Sequence, residues 1–118
     1  MYPNMKIKAV MVEGKEVKTC GEGYIVNRDE WSEGFVQAQA EAEGLELTEE
    51  HWDVVRFLRA FYEEHGAQAE VRKMVKYFKI AWNEERGNSR YLHRIFPRGG
   101  PQKQGNRLAG LLRTKGEH

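Results

Sequence analysis

Thiols are nearly absent from this chain: Cys20 is the only cysteine in 118 residues. One cysteine cannot close an internal disulfide or build a multi-thiolate metal site. The four histidines, His51, His65, His93 and His118, fall in no HExxH or CxxC context. The sequence therefore predicts neither a metal nor another cofactor. Apolar runs stay far below the ~18 residues needed to cross a bilayer. The N-terminal stretch MYPNMKIKAVMVEGKEV carries no continuous apolar segment of the secretory type, so the expected location is the cytoplasm, away from membranes. No internal repeat is visible, and no linker is long enough to divide the chain. One domain over residues 1–118 is the expectation.

Apolar residues make up 40% of the chain, and three tryptophans are among them. This is enough for a core without disulfide or metal. The net charge of +1 conceals a division. Residues 1–71 hold 7 Lys+Arg against 15 Asp+Glu, a balance of −8; residues 72–118 hold 12 against 3, a balance of +9. A basic C-terminal part suggests either attraction between the two parts or a surface for an acidic partner or nucleic acid.

The stretch Thr48–His65 organises the rest. Thr48 reads as an N-cap, Glu49 and Glu50 suit the positive end of the helix dipole, and Gly66 suits a left-handed terminator. Trp52, Val54, Val55, Phe57, Leu58, Phe61 and Tyr62 cover much more than one stripe. That pattern predicts a central core helix with Trp52 inside.

Before it, Met5–Val12 and Glu16–Cys20 read as a β-hairpin turning at Glu13-Gly14-Lys15, within a β-hairpin region 1–26. Asn27 with Glu30 reads as a capping box opening a helix that runs to about Glu43 and stops at Gly44. After it, Glu70 to about Asn83 reads as a helix packing Val71, Met74, Val75, Phe78 and Trp82. Ser89 is expected to cap a short helix ended by Pro97. Gln102–Leu112 reads as a last short helix interrupted at Gly105, which closes a helical bundle over 27–112. The polar end, 113–118, reads as a flexible arm.

Little chemistry is legible in this pattern. Glu63 and Glu64 are adjacent and diverge on a helix; Gly99, Gly100 and Gly105 lack the spacing of a phosphate loop. Cys20 is a candidate thiol, but a lone cysteine usually behaves as a small hydrophobe. Arg72, Lys73, Lys76, Lys79, Arg90 and Arg94 are candidates for a nucleic-acid surface, on short, closely spaced helices that permit a helix-turn-helix.

Several rarer words occur in order. They are Trp31, the run Glu43–Thr48 with His51-Trp52, Phe57-Leu58-Arg59, Tyr91-Leu92, Phe96–Pro101, Lys103-Gln104 and Leu108–Leu111. Together they resemble the DsrC/TusE family, the gamma subunits of dissimilatory sulfite reductase and their sulfur-relay relatives, over about residues 22–118. The resemblance implies a mainly α (α+β) fold, a small orthogonal helical bundle with an N-terminal β-hairpin and a mobile C-terminal arm. It also implies sulfur carried on a penultimate cysteine, joined in some members by a second in a Lys-Gln-x-Cys stretch. TusE-type members keep the penultimate one and pass persulfide sulfur toward tRNA thiolation.

Here Asn106 follows Lys103-Gln104-Gly105, and Glu117 stands next to last. An amide cannot attack a persulfide and a carboxylate cannot form one, so no catalytic residue carries over. The expectation is a regulatory or accessory protein that binds sulfite reductase or a sulfur-relay or sulfurtransferase protein. Lys103, Gln104, Arg107, Leu108 and Leu111 would serve as docking residues. The rivals are a DNA-binding regulator using the basic residues above, and a residual sulfur carrier acting through Cys20.

Overall fold

The computed structural model describes residues 7–111. The hairpin pairs β1 (Lys8–Val12) with β2 (Lys15–Thr19), antiparallel, with Val10 opposite Val17. Glu13 and Gly14 form a two-residue turn with positive φ at both positions, the twist that fits a tight hairpin. The return does not end at Thr19. A bridge from Thr19 to Ile25 and a hydrogen bond from Cys20 N to Tyr24 O (2.8 Å) fold residues 20–26 back along β2. Val17, Ile25 and Phe35 are buried together there, against Val10, Val12 and Trp31.

The first helical stretch differs from the expected single helix. Asn27 caps only a 3-10 turn, Arg28–Glu30, and the chain extends through Trp31. Ser32 then caps α1 (Glu33–Ala42), its hydroxyl accepting from Phe35 N at 3.2 Å. Two caps five residues apart divide what reads as one helix, because a second N-cap side chain offers the amides a better partner than continuation does.

Helix α2 (Glu49–His65) has the expected bounds, Thr48 as N-cap and Gly66 left-handed at its end. His51 contributes to the start. Its Nδ1 accepts from Thr48 N at 2.9 Å, and its Nε2 donates to Ile95 O at 2.6 Å. A buried imidazole thus closes the first turn and ties α2 to the helix that ends at Ile95. The residues that α2 buries are His51, Val54, Val55 and Leu58. Trp52, expected inside, is half-buried at the rim, with Arg56 over its ring. Its truncation should cost less than the 3–5 kcal/mol of a core tryptophan.

Helix α3 (Val71–Ala81) buries Met74 and Phe78. Helix α4 (Ser89–Ile95) buries Leu92 and is capped by Asn88, one residue earlier than expected. Helix α5 (Gly100–Leu108) is the largest departure from the sequence reading. It passes through Gly105 without a break, and seven of its nine residues are buried. A Cβ at Gly105 would stand 2.7 Å from Leu58 Cδ1, so the glycine lets α5 lie against α2. The main core, Val36, Ala40, Val54, Val55, Leu58, Met74, Phe78, Leu92, Phe96, Leu108 and Leu111, gathers around this contact. The fold is mainly helical with one two-stranded sheet. Among the described residues, no helix is long and apolar enough to cross a membrane.

Candidate functional site

The site is the end of α5 and the turn that follows it, the region of the Lys-Gln-x-Asn stretch. Polar residues dominate it, yet they are interior. Arg107 makes a two-pronged pair with Glu43, Nη2 to Oε1 at 2.8 Å and Nε to Oε2 at 3.1 Å, and the two side chains are only 11% and 9% exposed. Gln104 donates to the same carboxylate at 2.9 Å, and Gln39 does so at 2.8 Å. Gln104 Oε1 accepts from Arg98 N at 3.0 Å, and Arg107 donates to the Arg98 carbonyl. Both carboxylate oxygens of Glu43 are used, which is what permits a charge at this depth. Burial works against the Arg107 charge, but the hydrogen bonds and attraction of Glu43, with help from Tyr24, outweigh it and raise its pKa above the usual arginine value.

A second brace holds the turn. Trp31 Nε1 donates to Leu108 O at 2.9 Å, and Arg59 donates to Ala109 O at 2.6 Å. The Arg59 guanidinium lies 3.6 Å from the Trp31 ring centre, a stacked cation–π contact. Burial, together with nearby Arg28, lowers the Arg59 pKa. Gly110 has φ +71°, and a Cβ there would meet Trp31 Cδ1 at 2.3 Å. The chain therefore reaches Leu111 by one route, at a groove lined also by Arg28, Asp29, Arg59, Tyr62 and Glu63.

Asn106 is inside this braced turn. It is fully buried, and among the described residues neither its Nδ2 nor its Oδ1 has a hydrogen-bond partner. A buried unpaired amide costs about 1–3 kcal/mol. Asn106→Cys, close in volume and much less polar, should raise stability by about 1 kcal/mol in urea unfolding. A loss of similar size would show that the amide is satisfied in solution.

The structure places four of the five expected docking residues in the interior. Gln104, Leu108 and Leu111 are 0%, 0% and 2% exposed, and Arg107 is 9% exposed. They brace the core; of the five, only Lys103 faces solvent. Sequence reasoning missed this because α5 reads as polar, and its burial is made tolerable by the Arg98 backbone and by Glu43, 61 residues before Gln104. The signal that was available is the unmatched Glu43 within the word Glu-Gly-Leu-Glu-Leu-Thr.

The basic candidates Arg72, Lys73, Lys76 and Lys79 are exposed on α3, and Arg90 and Arg94 are exposed on α4. They do not form a helix-turn-helix. Seven residues, 82–88, separate α3 from α4, α4 itself has seven residues, and α5 is too deeply buried to enter a groove. Cys20 is half-buried in the turn after β2. Glu117 and the expected arm, 113–118, lie outside the described residues. Among the described residues, no three His, Cys, Asp or Glu side chains are grouped to hold a metal ion.

A hairpin-flanked helical bundle closed around a buried terminal helix, with the chain leaving at a charged groove, defines a DsrC-type scaffold. The sequence matches the family described as DsrC like protein over residues 11–116. It is 49% identical to the sulfurtransferase TusE of Salmonella choleraesuis over 102 residues, 86% of this chain and 93% of the relative. It is 47% identical to the sulfurtransferase TusE of Escherichia coli over the same shares. The NMR structure of Allochromatium vinosum DsrC superposes with a TM-score of 0.82 at 40% identity, covering 96% of this chain and all of that one. The oxidized gamma subunit of the dissimilatory sulfite reductase from Archaeoglobus fulgidus superposes at 0.83 with 32% identity, covering 94% and 100%. The chain belongs to the DsrC family.

Proposed function

We propose that this protein is a docking member of the DsrC family that binds sulfite reductase or sulfur-relay and sulfurtransferase partners without carrying sulfur itself. The carrying observation is chemical. Asn106 occupies the Lys-Gln-x-Cys place, and no residue after Cys20 in the 118 is a cysteine. Persulfide transfer needs a thiolate at the receiving site. The names its relatives bear, sulfurtransferase and sulfite reductase gamma subunit, supply the partner classes. The scaffold includes the Glu43–Arg107 pair and the Trp31 brace, which hold the end of α5 and the turn at Leu108 and Ala109. A protein with this scaffold and with Asn106 in place of the family's thiol competes for, or modulates, the partner that its thiol-bearing relatives serve.

Cys20 does not substitute for the missing thiol in this reading. It belongs to the hairpin's return, whereas Asn106, at the Lys-Gln-x-Cys place that the resemblance marks, is buried on α5. Incubation with a cysteine desulfurase and cysteine should leave the intact mass unchanged, while a cysteine-bearing relative gains about 32 Da per sulfur. Stoichiometric loading that disappears in Cys20→Ser would replace this reading with sulfur transfer through the hairpin.

A further inference from the structure

Strand β1 pairs with β2 on one side, and the sheet order ends at β1 on the other. The two-residue turn makes Val12 and Lys15 a pair that exchanges both main-chain hydrogen bonds. By alternation, Val10 with Val17 and Lys8 with Thr19 do the same. The far side of β2 agrees. There Lys18 O accepts from Val26 N at 3.0 Å and Cys20 N donates to Tyr24 O at 2.8 Å, so these two residues turn their main-chain groups away from β1. Ala9, opposite Lys18, and Met11, opposite Glu16, therefore turn their N–H and C=O groups to the open edge. Among the described residues, no main-chain hydrogen bond from outside the hairpin reaches either of them.

The side chains along this edge are apolar. Val10, Val12 and Val17 pack inward, so Ala9 and Met11 face out, and Val26 lies beyond Lys18 on the same face. Met11 is 60% exposed, Val26 56%, and Ile7, just before β1, 61%. Natural sheets blunt an open edge with a central charge, a proline or a bulge. Strand β1 has an unbroken register and no proline, and its one charge, Lys8, is at its end.

We propose that this edge pairs with a second copy of the chain, β1 against β1 and antiparallel, about a two-fold axis at Val10. The argument for a second copy is that the edge is complementary to itself. With Val10 opposite the partner's Val10, Ala9 stands opposite the partner's Met11, and Met11 opposite the partner's Ala9. These are the residues whose main-chain groups are open, so both pairs close and four hydrogen bonds form. A register moved by one residue would set outward side chains against inward ones. One moved by two would set Ala9 or Met11 against a residue outside β1. On the outward face the small Ala9 receives the partner's Met11, and the apolar rows of the two copies become one. Lys8 comes beside the partner's Glu13, a charge of opposite sign. The contact is small, so the dimer is weak, with a dissociation constant of about a micromolar to a millimolar. The proposal does not rest on the sulfur reading and stands or falls separately from it.

The test is sedimentation equilibrium of the full 118-residue protein over a concentration series reaching about 1 mM, with amide exchange followed residue by residue. The average mass is expected to rise from monomer toward dimer, and the Ala9 and Met11 amides to gain protection as it does. Ala9→Pro removes an open N–H and leaves the β1–β2 ladder whole, because that amide is not used there. It should raise the dissociation constant at least about tenfold. Met11→Lys puts like charges on both copies at the seam and should act in the same direction. Its side chain is exposed, so it carries the test should Ala9→Pro loosen the hairpin. Ile80→Asp, at an 85% exposed position on α3, is the control and should leave association unchanged. The proposal is overturned if the protein stays monomeric up to about 1 mM, if neither change in β1 weakens association, if Ile80→Asp abolishes it, or if the Ala9 and Met11 amides exchange equally fast in monomer and dimer.

Discussion

Glu43→Ala is expected to destabilise the protein by about 3–5 kcal/mol, the cost of leaving a buried charge without its partner. The Arg107 guanidinium would lose both of its carboxylate contacts, and Gln104 and Gln39 would each lose an acceptor. Exposed ion pairs cost about 0–1 kcal/mol when broken, and this one differs because both side chains are nearly buried. The double change Glu43→Met with Arg107→Met should cost much less than the sum of the two single changes, since two matched apolar groups leave no charge stranded. Urea unfolding of the wild type, Glu43→Ala, Glu43→Met, Arg107→Met and the double variant measures this. A single-mutant cost below about 1 kcal/mol would mean that the pair is solvated and that α5 is held by its apolar residues alone.

Gly110→Ala carries the other large effect, about 2–5 kcal/mol from two terms that add. An alanine at φ +71° pays roughly 1–2 kcal/mol for the left-handed conformation. Its Cβ would also sit 2.3 Å from Trp31 Cδ1, and overpacking of that kind costs about 1–3 kcal/mol. Trp31 cannot easily yield, because its indole nitrogen is bonded to Leu108 O and its face is covered by Arg59. Gly44 supplies the control. It has φ +73°, and a Cβ added there would meet nothing within 4 Å, so Gly44→Ala pays only the conformational term. The difference between the two variants in chemical unfolding isolates the packing at Trp31. Equal effects would show that the turn before Leu111 adapts, and that the chain's exit is not fixed by the Trp31 brace.

Local rules made parts of this fold legible. Thr48, the acidic first turn and Gly66 mark α2 because capping and dipole effects act within a few residues. The hairpin follows from alternation and from Glu13-Gly14. Helix α3 follows from the spacing of Met74 and Phe78. What was hidden depends on distant partners. Helix α5 is polar in composition and interior in fact, since Glu43 and the Arg98 backbone satisfy its polar groups. The same burial turned Gln104, Arg107, Leu108 and Leu111 from expected docking residues into internal braces. The break at Trp31 was hidden because Asn27 and Ser32 are both competent caps, and sequence alone does not rank them. The place of Asn106 was legible through family resemblance, but its unpaired amide was not.

A scaffold that docks as its relatives do and transfers no sulfur should act as a competitor. The most direct test is a sulfur-transfer reaction in which a cysteine-bearing TusE or DsrC protein delivers to or receives from its partner while this protein is added in rising amounts. Transfer is predicted to fall as this protein competes for the partner, and its own mass to stay unshifted throughout. Undiminished transfer at large excess, or a sulfur adduct appearing on this protein, would contradict that role.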